Sequence, residues 1–258
     1  MNEKPKVLLF DLETFPLVVE TWGTYEQNAL RVLRDFTICA FSAKWLDGKM
    51  IAKGLCDYWG YKPVSDRNLQ VDDRKIVKDI WKLLDEADIV IAQNGDAFDV
   101  KKVNTRFLVH GLKPPSPYKT IDTLKIARNS FGFDYNKLND LGRQTGSGMK
   151  HETGGYSLWV GCMTGDKEAW RKMKAYNRQD VNLLESVYKK FRPWAKTHPN
   201  VGIYTGILAC PSCGSSKIQS RGFAFNHTTK YRRLQCSSCG KWSRDTKNIN
   251  INKQLVSI

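Results

Sequence analysis

The sequence predicts an α/β fold, a mixed central sheet flanked by helices, with a small β module appended at the C-terminus. Three observations carry this. Apolar, β-favouring runs come early and amphipathic helical patterns come late, with one strand-turn-helix unit between them, which is the order of a sheet covered by helices. Val7-Leu8-Leu9-Phe10 is a continuous apolar run, the mark of a strand buried on both faces. Beyond the last long helical pattern lie two Cys-x-x-Cys-Gly pairs, Cys210 with Cys213 and Cys236 with Cys239, with strand-like alternation between them.

Taken in order, residues 6–13 make the first strand. Thr37–Trp45 and residues 50–58 flank Asp47-Gly48 and predict a hairpin. Ile76, Val77, Ile80, Trp81, Leu83 and Leu84 recur at helical spacing with charges between them, predicting a helix over 72–88. Ile89–Ala92 is a short apolar strand, and the polar turn 93–96 leads into a helix near 98–110 that Gly111 stops. Pro114, Pro115 and Pro117 make a loop. A strand is expected at 119–123, then helical segments at 124–130 and 137–145. Six glycines within 146–165 predict a mobile loop, and a long helix follows over Lys167–Phe191. The expected division is a first domain over 1–194, a linker over 195–205 and a C-terminal module over 206–258.

Composition narrows the function classes. With 41% hydrophobic and 11% aromatic residues the chain can bury a core, which excludes global disorder. The formal charge of +15 favours a polyanionic partner, nucleic acid or an anionic membrane surface. A membrane is the weaker of the two. No apolar stretch approaches the roughly 20 residues of a spanning helix, and no long basic amphipathic helix has a clean apolar face. The N-terminus, MNEKPKVLLF, lacks the apolar segment of a signal peptide, so a cytoplasmic setting is expected, in a bacterium or a phage-infected host. Cys39, Cys56 and Cys162 are scattered while the other four cysteines are paired, which suggests one metal site and free thiols in place of a disulfide framework.

The first strand ends in an unusual pair. Asp11 and Glu13 are two residues apart and therefore share a face of the strand. Adjacent carboxylates repel unless a cation lies between them, although a solvated strand end would also accommodate them. "NGDAFDV" puts Asp99 at the start of a helix after a buried strand, with Asn94 in the turn before it. Loops at the carboxyl ends of strands are where α/β proteins commonly place ligands. "YNRQD" puts Tyr176 and Asp180 one turn apart on one face of the long helix. Asp122, closing a strand near the same place, reads as a solvated strand end ahead of a supporting role.

D-x-E on a first strand, N-x-x-x-F-D at a strand-to-helix turn and Y-x-x-x-D on a late helix, in that order, resemble the DEDD superfamily of 3′–5′ exonucleases, in the variant that carries Tyr in its last motif. That variant includes the proofreading domains of DNA polymerases. The resemblance covers roughly residues 5–194 and implies a ribonuclease H-like fold. It implies hydrolysis of phosphodiester bonds with two Mg²⁺ or Mn²⁺ ions, which hard oxygen ligands select. In that scheme Asp11 bridges both ions, Glu13 and Asp180 complete the site of the attacking water, and Asp99 supports the second ion. Tyr176 orients the water. Its ordinary pKa of about 10 makes it a poor base. Asn94 either hydrogen-bonds the terminal nucleotide or caps the turn. Phe98 reads as core ahead of base stacking.

The implied substrate is a nucleic acid with a single-stranded or frayed 3′ end, DNA ahead of RNA, delivered by a polymerase or another replication or repair subunit. The rivals are an exoribonuclease with the same chemistry and a non-catalytic nucleic-acid-binding module.

The cysteine pairs are separated by 22 residues, close to the commonest four-cysteine zinc spacing. They predict one structural Zn²⁺ in a zinc ribbon, a module too small to hold its fold without metal. From Val201 onward nine basic residues face a single acid, Asp245. Arg221, Lys230, Arg232 and Arg233 interleave with Phe223, Phe225, Tyr231 and Trp242, which suits backbone neutralisation and base stacking on single strands. The competing expectation is that these aromatics fill the ribbon's core.

Overall fold

The structure is a computed structural model that describes residues 4–25, 28–65, 68–150 and 154–249. The chain divides into a larger unit, Lys6–Val187, and a smaller one from Tyr188 onward.

The larger unit is built on a five-stranded mixed sheet. Strand β1 (Val7–Phe15) is followed by a short two-stranded ribbon, β2 (Val18–Glu20) with β3 (Arg31–Arg34), and then by the expected hairpin, β4 (Thr37–Trp45) with β5 (Met50–Gly54). Helix α1 (Arg74–Glu86) leads to β6 (Ile89–Ala92), α2 (Asp99–Val109) and β7 (Lys119–Asp122). Four helices follow: α3 (Thr123–Ser130), α4 (Leu138–Gln144), α5 (Tyr156–Thr164) and α6 (Lys167–Phe191), the last of which belongs to this unit as far as Val187. The sheet order is β5-β4-β1-β6-β7, with β1, β6 and β7 parallel and the hairpin antiparallel to them.

A central position explains the continuous apolar run of β1. Leu8, Phe10 and Leu12 enter the core beside Ile76, Val77, Ile80 and Leu84 of α1 and Val103 and Phe107 of α2. Side chains alternate along a strand, so Asp11 and Glu13 point to the opposite face, where Asn177 of α6 reaches Asp11. Asp73 ties this layer together. It is fully buried, accepts from the Ile38 N–H, and is gripped by Arg106 and His110 of the α2 end at 2.5 and 2.6 Å. A buried carboxylate is tolerable only when it is paired in this way.

The glycine-rich stretch expected as a mobile loop contains α5. Its glycines sit mainly at the helix ends, Gly155 before it and Gly165 as a left-handed C-cap, so they punctuate a helix more than they interrupt one. The start of the stretch is also pinned. A Cβ at Gly142 would lie 2.6 Å from the Gly148 carbonyl oxygen, so only glycine lets this segment pack against α4.

In the smaller unit, a 3₁₀ turn at Val201–Thr205 lies within the segment expected as a linker and is capped by Asn200. Strands β8 (Ile218–Phe225), β9 (Lys230–Cys236) and β10 (Trp242–Asn248) form an antiparallel sheet in the order β10-β9-β8. Leu234, Cys210 and Cys236 are buried, whereas Phe223, Phe225 and Trp242 are exposed. Those three aromatics are therefore not the module's core.

Candidate metal centres

β1 pairs with β6 only over Val7–Leu9 and then runs past the end of that shorter strand. Asp11 and Glu13 lie on this free extension. In place of a neighbouring strand, the first residue of α2 closes the gap: the Leu12 N–H donates to Asp99 Oδ1 at 3.2 Å. On the other edge the register with β4 slips between Glu13 and Thr14, where Cys39 is the extra residue of a bulge. Bulges re-aim side chains at the rims of sites.

From α6 come Asp180 and Tyr176. Oxygens of Asp11, Glu13 and Asp180 lie within 4.8 Å of one another. Asn177 Nδ2 donates to Asp11 Oδ2 at 2.6 Å and so fixes that carboxylate. Lys150 Nζ lies 2.6 Å from Asp180 Oδ2 and 3.2 Å from the Tyr176 hydroxyl. The backbone beside Lys150 is held by Asn139, which accepts its N–H, and by Gln179, which donates to the Met149 carbonyl.

The electrostatics are those of a site that wants positive charge. Burial, followed by the charges of Asp99, Glu13 and Asp180, holds Asp11 well above the usual carboxylate range, with Lys150 opposing. Burial and Asp180 push Glu13 up to about 8. Burial pushes Asp99 up to about 7, against the hydrogen bond from Leu12. Tyr176 is also raised, by burial first and then by Asp180 and Glu13, so its hydroxyl keeps its proton. A set of hard oxygen donors that resist joint ionisation fits a divalent metal ion.

The sequence-predicted residues do not all share this place. Asp11, Glu13 and Asp180 converge, Asp99 adjoins them through Leu12, and Tyr176 borders Asp180. Asn94 lies in the turn before α2: at φ 59° its backbone N–H donates to Asp122 Oδ1 and its carbonyl accepts from Ala97 and Phe98. Phe98 is 39% exposed, so the core reading of this residue is corrected. Asp122 is corrected too. It is buried, and it caps α3 through the Leu124 N–H as well as holding Asn94. Lys150 and Asn177 were missed. Asn177 adjoins Tyr176 inside the recognised motif and was open to notice, whereas no periodicity marks Lys150.

The second centre is the cysteine cluster. All four sulfurs lie within 4.8 Å of one another, with Cys210–Cys239 at 3.6 Å and Cys213–Cys236 at 3.7 Å. Sulfurs bonded to each other stand at about 2.05 Å. A tetrahedron with metal–sulfur bonds of about 2.3 Å has edges of about 3.8 Å, which these separations fit. The two knuckles are alike. Gly214 N–H donates to the Cys210 carbonyl and Gly240 N–H to the Cys236 carbonyl, and both glycines have positive φ. The thiols differ: against burial, hydrogen bonds from Cys239 and Ser238 bring Cys236 down to about 7, whereas burial holds Cys213 and Cys239 above the usual thiol range.

The basic residues of this module occupy different places. Lys230 lies 4.0 Å from the centre of the Phe223 ring, Arg232 pairs with Asp245, and Arg233 donates to the Arg221 carbonyl.

A family model of the RNase_H superfamily matches residues 45–192, a span that includes Asp99, Tyr176 and Asp180 and begins after Asp11 and Glu13. No curated protein matches the sequence. Among solved structures, the family B DNA polymerase from the hyperthermophilic archaeon Pyrobaculum calidifontis is similar in fold, with a TM-score of 0.52 and 15% identity. The match covers 79% of this chain and 26% of the polymerase chain, so this chain corresponds to about a quarter of that protein.

Proposed function

Because the chain belongs to the RNase H superfamily, we propose that it is a metal-dependent nuclease, and specifically a 3′–5′ exonuclease acting on DNA. The observation that carries this reading is the meeting of Asp11 and Glu13 from β1 with Asp180 from α6, oxygens within 4.8 Å, beside the Tyr176 hydroxyl.

Asp11, Glu13 and Asp180 would hold Mg²⁺ or Mn²⁺, with Asp99 supporting a second ion from the start of α2. When bound, such ions activate water and stabilise charge on the attacking and leaving oxygens of a phosphodiester. Asn177 locks the rotamer of Asp11, so the ligand oxygen is in place before substrate arrives. Tyr176 keeps its proton and so acts as a hydrogen-bond donor that orients the attacking water, not as a base. Lys150, beside Asp180 and Tyr176, would offer a positive charge to a bound phosphate.

The C-terminal module, read as a zinc ribbon with Zn²⁺ on Cys210, Cys213, Cys236 and Cys239, assists by holding the nucleic acid. The substrate is a single-stranded or frayed 3′ end, and a polymerase or another replication or repair subunit is the partner that would present it.

The test is digestion of single-stranded, duplex, mismatched and RNA substrates, labelled at either end, with Mg²⁺ or Mn²⁺. Stepwise shortening from the 3′ end of DNA is expected, abolished in Asp11→Ala and Asp180→Ala. Full activity in either variant would overturn the mechanism, and faster digestion of RNA would overturn the substrate.

A further inference from the structure

The C-terminal sheet has two faces, and they differ in how their charges are answered. Directly paired residues of antiparallel strands share a face, as do residues two apart on one strand. Arg244 pairs with Arg233 and Trp242 with Gln235, which puts Tyr231, Arg233, Trp242 and Arg244 on one face. Arg232 and Asp245 fall on the other, where they form an ion pair at 2.7 Å. The single acid of this module is thereby used on the opposite side.

The face that remains sets two arginines directly across from each other, an arrangement unfavourable on its own. Among the described residues no carboxylate pairs with either. Each guanidinium instead lies near an aromatic ring, Arg233 at 5.1 Å from Trp242 and Arg244 at 4.0 Å from Tyr231. Each is also anchored by one bond to a backbone carbonyl, Arg233 to Arg221 and Arg244 to Asp245. An arginine has five N–H donors, so most remain available. Arg233 crosses the bulge at Gly222, where a Cβ would approach its Nη2 to 3.4 Å.

We propose that the face formed by Tyr231, Arg233, Trp242 and Arg244 is a binding surface for single-stranded nucleic acid, with phosphates on the two guanidinium groups and bases stacked on Trp242 and the exposed guanidinium planes. Unpaired like charges call for a polyanion, and the exposed ring of Trp242 calls for one whose bases are open, which a duplex hides. The choice of nucleic acid over another polyanion rests on the nuclease reading. This surface differs from the set expected from sequence: it keeps Arg233, Tyr231 and Trp242 and adds Arg244. It leaves out Arg221, and also Lys230, Arg232, Phe223 and Phe225, which pair with one another on the opposite face, where Asp245 already answers Arg232.

The experiment measures binding of a labelled single-stranded oligonucleotide to the zinc-loaded full chain, without added Mg²⁺ or Mn²⁺, across a salt titration. Pairing Arg233→Ala with Arg244→Ala should lower the slope of log K against log salt by about 1.4, at about 0.7 per phosphate contact on a single strand. Trp242→Ala should weaken binding roughly tenfold. Phe225→Ala, on the other face, should leave it unchanged. Hydrogen exchange on the unaltered chain should show protection of β9 and β10 by the oligonucleotide. An unchanged slope in the arginine variant, equal loss in Phe225→Ala, equal affinity for duplex, or no protection of these strands would each overturn the surface. Binding through this face by a chain that cleaves no substrate with any divalent ion would overturn the nuclease reading and leave the surface standing.

Discussion

Lys150 Nζ lies 2.6 Å from Asp180 Oδ2, so a cation belonging to the chain sits against the carboxylate that α6 contributes to the acidic trio. Lysine and a divalent ion both claim that oxygen. Lys150→Ala should therefore strengthen Mn²⁺ binding, by roughly tenfold. That is the low end for a hydrogen bond between charged groups, because Lys150 is 28% exposed. The same variant should weaken substrate binding. Calorimetric titration with Mn²⁺ reads the first effect, and an unchanged Kd would show that Lys150 moves aside without competing.

Asn177 acts through Asp11. Asn177→Ala removes the donor that fixes the Asp11 carboxylate and should cost about 10- to 100-fold in metal affinity or nuclease activity, the usual effect of losing a partner of a metal ligand. Asp11→Ala, which removes the ligand itself, should cost more. Equal losses in the two variants, measured side by side with bound Mn²⁺, would contradict this ranking.

Protons should stand in for the metal. Glu13 at about 8 and Asp99 at about 7 carry protons in the folded chain that the unfolded chain releases at ordinary carboxylate values. Their contribution to stability is fully present below those ordinary values and is lost as pH rises through about 7 and about 8. Thermal unfolding without added Mg²⁺ or Mn²⁺ should accordingly show stability falling across that window. Added Mn²⁺ should flatten the fall, and its apparent affinity should rise with pH as it displaces fewer protons. A melting temperature that climbs through the window without metal would refute the assignment.

The cysteine cluster should be structural. Cys213→Ser or Cys236→Ser should lower the zinc content and unfold the β8–β10 sheet, since metal binding is the folding energy of so small a module. Metal analysis with hydrogen exchange over residues 206–249 checks both effects. Protection that persists without zinc would show that the sheet holds itself.

Much of this fold was legible because its signals are local. The apolar run of β1, the spacing of Ile76, Val77, Ile80 and Leu84, and the alternation of β9 each reflect which side of one element is buried. Where burial leaves no simple pattern, the sequence was silent. Strand β10 is polar at every position after Trp242 and is held by its pairing with β9. Helix α5 lies among glycines that resemble a loop until they are seen mostly at its ends.

The same division runs through the site. Asp11 with Glu13, and Tyr176 with Asp180, are pairs set by strand and helix geometry, so the sequence by itself determined which acids share a face. It likewise determined the two cysteine knuckles, each closed by its own glycine. Only the tertiary structure decided what those acids meet. Leu12 and Asp99 are 87 residues apart, Lys150 and Asp180 are 30 apart, and Asn177 and Asp11 are 166 apart. Periodicity relates residues within one element, whereas these contacts depend on where β1 outruns β6 and where α6 crosses the opposite face of the sheet.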